Sequence, residues 1–117
     1  MNKIDPAWKL FISYVLLLIL TIYSTSAQIV VTHFNADWND PNKVAYIGKL
    51  TGCEIVYVDI AKSPKLQEKH EIVVVPTVII YKDGEEVKRF QADISFSMKA
   101  TRKDMQTIID ELLMSDF

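Results

Sequence analysis

Ile29-Val30-Val31-Thr32-His33-Phe34 leads directly into Asn35-Ala36-Asp37-Trp38-Asn39-Asp40-Pro41-Asn42-Lys43, and this junction decides the fold. The first six residues are rich in β-branched and apolar side chains and read as a buried central strand. Asp40 is a good N-cap, and Pro41 is pre-set for a first helical position. A helix is therefore predicted from Pro41 to about Leu50, with Val44 and Ile47 on one face. Gly48 weakens such a helix by roughly 1 kcal/mol relative to alanine. Gly52 is placed to end it.

Working outward, Glu54 to Ile60 is the next strand. Ser63-Pro64 repeats the cap-plus-proline signal and opens a short helix through about His70. Ile72 to Tyr81 is strongly apolar and β-branched. Lys82-Asp83-Gly84-Glu85 is a hairpin turn, with Asp-Gly its strongest element. Glu86 to Gln91 returns as the partner strand, and Val87 and Phe90 among charged residues predict one buried face. Thr101 and Asp104 form a variant capping box before Met105, Ile108, Ile109, Leu112 and Leu113, an amphipathic helical stripe. The order β-α-β-α-β-β-α gives an α/β fold. Its first two strands should be parallel and its last two an antiparallel hairpin, in a mixed central sheet with helices on both faces.

A second short stretch, Val75-Pro76-Thr77, matters beside the first. With Phe34-x-Ala36-x-Trp38, Pro41, Lys43, Val58-Asp59, and Asp83-Gly84 followed by Val87, it makes the chain resemble the thioredoxin family from Gln28 to Leu113. The family carries Trp-Cys-x-x-Cys-Lys at the first place and a cis-proline before a threonine at the second. Here Asn39 and Asn42 stand where the two cysteines would be. Thiol–disulfide exchange needs a thiolate attacking a disulfide sulfur, and an asparagine amide offers none. The buried aspartate of the family falls on His33, where it has no resolving cysteine to serve.

By the same resemblance, Trp38 lies beside the old active site, and Val75 could pair with an extended partner segment by β-augmentation. Asp40, Pro76 and Thr77 complete that candidate binding surface. Alternatively, these residues are kept for folding alone. The segment between Asn42 and Asp59 is short for the family, which implies a truncated helix and a larger cleft beside Trp38. The stretch from Ala92 to Ala100 is long for the family. Its alternating Ile94, Phe96 and Met98 imply an extra strand or a hydrophobic flap.

The first 27 residues read separately. Lys3 and Lys9 precede an apolar run, Leu10 to Tyr23, and Ser24-Thr25-Ser26-Ala27 follows. That pattern is a secretory signal peptide cleaved before Gln28, or else a membrane anchor over residues 7–23. The run is short against the ~20 apolar residues of a membrane span. Residues 28–117 then form one domain. Losing Lys3, Lys9 and Asp5 takes the net charge from −2 to −3, which speaks against a nucleic-acid partner.

Cys53 is the only cysteine and cannot form an intramolecular bridge. It reads as a small buried apolar residue, or as a reactive thiol if exposed. His33, His70, Asp37 and Asp40 match no strong metal motif, and no cofactor is implied. Lys62, Lys65, Lys69, Glu68 and Glu71 read as a solvated helix face, and Lys82 to Arg89 as a charged hairpin that blunts a sheet edge.

The expected function is an exported, periplasmic or extracytoplasmic, thioredoxin-like binding or adaptor module without dithiol chemistry. Its partner would be another envelope or secreted protein, with membrane contact only through an uncleaved N-terminal segment. The alternatives are thiol exchange through Cys53 alone and a structural subunit of an envelope complex.

Overall fold

A computed structural model of the chain describes residues 28–115. The segment read as a signal peptide or anchor lies outside the described residues. Four strands, β1 (Ile29–Asn35), β2 (Glu54–Asp59), β3 (Thr77–Lys82) and β4 (Glu85–Gln91), form one sheet in the order β2-β1-β3-β4. β1 is parallel to β2 and antiparallel to β3, and β3 and β4 form the expected hairpin. Two α-helices accompany them, α1 (Pro64–Lys69) and α2 (Arg102–Met114). No helix among the described residues is long and apolar enough to cross a membrane.

The side-chain alternation of the central strands separates two cores. On one face Ile29, Val31, Val78 and Ile80 pack with Met105 and Ile109 of α2. Burying a side chain of that size contributes roughly 2–3 kcal/mol. Thr101 starts α2 as predicted: its hydroxyl accepts from Asp104 N–H, and the Asp104 carboxylate accepts from Thr101 N–H. On the other face Phe34, Ile60, Ile72, Val75 and Ile79 form the second core. α1 buries no side chain of its own. Arg89 of β4 ties down its end, donating to the carbonyls of His70 at 2.8 Å and Glu71 at 2.9 Å. A cation suits the exposed carbonyls at a helix C-terminus.

The helix predicted from Pro41 to Leu50 is absent. The crossover from β1 to β2 is built instead from two 3-10 helices, Asp37–Asn42 and Ile47–Lys49. The reason is local. An α-helix would send Val44 N–H to the Asp40 carbonyl, but Val44 N–H donates to His33 Nε2 at 3.1 Å, and Asp40 O accepts from Lys43 N–H. Val44, Ile47 and Leu50 are all buried, three residues apart, which is the 3-10 repeat. Burial of the apolar positions survives although the helix does not.

Two smaller differences have equally local causes. Val87 is 45 % exposed rather than core-facing, because the β3–β4 register slips there: Ile80 faces Lys88 but Tyr81 faces Glu86. The stretch 92–100 is not an extra strand. Asp93 Oδ1 accepts from Ser95 N–H and Ser97 N–H, folding it into a tight loop.

Gly52 has φ +78°, and a Cβ there would lie 2.7 Å from Leu113 Cδ1 of α2. Gly84 has φ +85° with open space around it. Gly52→Ala is therefore expected to cost roughly 2 kcal/mol and Gly84→Ala about 1 kcal/mol, compared by urea unfolding.

Candidate functional site

The C-terminal ends of β1 and β2, the 37–42 turn and the loop before β3 converge at one end of the sheet. Asn39 is buried at the centre. Its Nδ2 donates to Asn35 Oδ1 at 3.1 Å and to the Val75 carbonyl at 3.3 Å. Asn35 Nδ2 returns a bond to the Asn39 carbonyl, and Asn42 Nδ2 donates to Asn39 Oδ1 at 2.9 Å. The two residues at the would-be cysteine positions are thus joined directly, amide to amide. The network satisfies buried polar groups that would otherwise cost about 1–3 kcal/mol each. Asn35 belongs to it, which the sequence reading missed; its only signal was its place four residues before Asn39.

The Val75–Pro76 bond is cis. Val75, Pro76 and Thr77 are all buried, and Thr77 Oγ1 donates to the Val74 carbonyl. Trp38 and Asp40 face outward. Trp38 is 64 % exposed and meets Phe96 edge-on at 5.4 Å between ring centroids. Phe96 comes from the Asp93 loop and sits at φ +61°, a backbone conformation rare for a large side chain. Ala92 N–H donates to the Pro76 carbonyl and ties this loop to the proline turn. Ile94 beside it is fully exposed. The Asp93 carboxyl that organises the loop is lowered to about 2 by the Ser95 hydroxyl and the Ser97 N–H.

Loss of the crossover helix opens a cleft of about 490 Å³ whose lining includes His33, Asp37, Asp40, Lys43, Tyr57 and Asp59. Trp38 does not line it. Lys62 Nζ lies 3.3 Å from Asp37 and 4.0 Å from Asp59. His33 is buried against the Tyr57 ring. Burial lowers its pKa, and the bond from Val44 occupies Nε2, leaving that nitrogen no proton to give.

Cys53 stands just before β2, at the end of the sheet away from Asn39, because Glu54 pairs with Val30 and Asp59 with Asn35. Five strand residues separate these ends by about 16 Å. Cys53 packs, half-buried, against the α2 core, and burial raises its thiol pKa. Among the described residues, no three His, Cys, Asp or Glu side chains are grouped to hold a metal.

No protein-family model matches the chain. Among curated proteins it is 35 % identical over 72 residues to thioredoxin of Chlamydia trachomatis, spanning 56 % of this chain and 71 % of that one. Thioredoxin of Chlamydia muridarum is 33 % identical over the same spans. The fold matches that of thioredoxin-2, a component of malaria parasite protein secretion machinery, with TM-score 0.60 and 19 % identity over 75 % of this chain and 86 % of that one. It also matches thioredoxin 1 of Thermosipho africanus, with TM-score 0.56 and 22 % identity over 74 % and 97 % of the two chains.

Two outcomes are expected. Asn39→Ala strands the Val75 carbonyl and Asn35 Oδ1 and should cost about 2 kcal/mol or more in chemical denaturation, whereas exposed Asn42 replaced by alanine should cost under about 1 kcal/mol. The lowered His33 pKa means that unfolding takes up a proton. Its contribution to stability is complete above the unfolded-state value of 6.5 and declines as pH falls through it. His33→Gln should flatten the pH dependence of the unfolding midpoint between about pH 7 and pH 5. The pKa of His70 is also lowered, chiefly by burial, so part of the slope should remain.

Proposed function

The chain belongs to the thioredoxin family, and on that premise we propose that it works as an exported protein-binding module without dithiol redox chemistry. The observation that carries this reading is the pairing of exposed Trp38 with Phe96 over an end of the sheet where the linked amides of buried Asn39 and exposed Asn42 fill the cysteine positions. Apolar side chains clustered at a surface, unlike ones scattered singly, are the kind of feature that marks an interaction site. Trp38, Phe96 and Ile94 supply the apolar contact, and Asp40 its charged neighbour. Aromatic anchors of this kind carry most of the energy of protein interfaces. Val75, Pro76 and Thr77 contribute from behind, as the buried floor that fixes the loop.

The partner is an extended segment of another envelope or secreted protein, which fits the secretory character of the first 27 residues. A mature mass corresponding to residues 28–117 would support export. Thiol exchange through Cys53 has less support, since the sulfur packs against the core and its pKa is raised.

Cross-linked capture from the native cell envelope tests the binding role, with wild type beside Trp38→Ala and Phe96→Ala variants shown to be folded. A defined partner should come down with wild type. Each truncation should weaken its capture by about ten-fold or more, the effect of losing roughly 2 kcal/mol at an anchor. Undiminished capture of the same partner by both variants would move the function to another face.

A further inference from the structure

The sheet has two edges, and they differ in kind. β4 is defended: it carries Glu85, Glu86, Lys88 and Arg89 and is bent by the register slip opposite Ile80 and Tyr81. β2 is not. Its inner side pairs with β1 without interruption from Glu54 to Asp59, and its outer side pairs with no strand among the described residues; only the Asp59 carbonyl, at its end, accepts, from Lys62 N–H and Ser63 N–H. Ile55-Val56-Tyr57-Val58 contains no lysine, no proline and no bulge. Val56 is 37 % and Tyr57 63 % exposed, on opposite faces of the sheet. Folded proteins normally blunt such an edge with charge, proline or a bulge, because its free N–H and C=O groups template another strand.

Charge decides what the edge accepts. Glu54 stands at one end, without an ion pair among the described residues. Asp59 stands at the other, beside Asp37 and Asp40 in the cleft; Lys43 and Lys62 offset these only in part. A second copy paired antiparallel about Tyr57 would gather Glu54 of one strand and Asp59 of the other at each end of the pair, and like charges gathered there repel. Cations at both ends of an incoming strand meet the opposite condition.

We propose that the outer edge of β2 takes an extended segment of a partner protein, added as a fifth strand, with alternating apolar residues and a lysine or arginine at each end. This surface is separate from Trp38 and does not rest on the binding role assigned there.

The test titrates two blocked octapeptides into the full-length, nitrogen-15-labelled chain. Both alternate valine and threonine; one carries lysine at each end and the other glutamate. Amide shifts should centre on residues 54–59. The lysine peptide should bind about ten-fold more tightly, and the gap should shrink at high salt. Tyr57→Lys, or Val56→Lys should the first variant fail to fold, should abolish binding, while Trp38→Ala should bind as wild type. The proposal is overturned if neither peptide shifts residues 54–59 or if the glutamate peptide binds equally well. It is also overturned if light scattering of the peptide-free chain shows a dimer that Tyr57→Lys dissolves, since the occupant is then a second copy.

Discussion

The hydrogen bond from Val44 N–H to His33 Nε2 is the contact on which the unusual parts of this structure depend. A parallel β1–β2 pair needs a crossover, which is usually a helix packed on the sheet. Here the side chain of the central strand takes the amide that would have closed the first helical turn. The crossover collapses into 3-10 turns anchored by Val44, Ile47 and Leu50. The space that a longer helix would cover becomes the acidic cleft above Tyr57. Burial lowers the His33 pKa, and protonation at Nε2 would break this same bond.

The second constraint is polar satisfaction around Asn39. A thioredoxin fold with a single cysteine keeps the backbone that brings the two former thiol positions together. Carboxamides placed there bond to each other, to Asn35 and to the carbonyl before Pro76. Such a network is stable only when complete. It fixes the floor of the site and leaves Trp38, Phe96 and Ile94 to face outward. Two strained or exposed features, the positive φ of Phe96 and the full exposure of Ile94, sit on the one loop that Asp93 organises.

What could be read in advance follows from local rules. The Asp83-Gly84 turn, the Thr101–Asp104 capping box and the stripe ending in Leu113 are each set by residues within a few positions of one another. The Pro41 helix failed because its decisive competitor, His33, lies eleven residues before Val44 and on a different element. Val87 failed because a bulge is set by cross-strand register, which no single strand reveals. Phe96 could be named as a flap candidate, but its seat on Trp38 requires the fold that brings positions 58 residues apart together.

The sequence by itself determined the strand order, the two helices α1 and α2, the family resemblance and the absence of a cysteine pair, because these rest on side-chain periodicity and residue identity. Only the tertiary structure decided which amides and carbonyls pair at the emptied site, that the crossover is not α-helical, and that β2 presents a bare edge while β4 does not. The physical reason is range. Propensity and capping act within a turn or two, whereas the satisfaction of a buried polar group or a strand edge depends on whatever the rest of the chain brings alongside it.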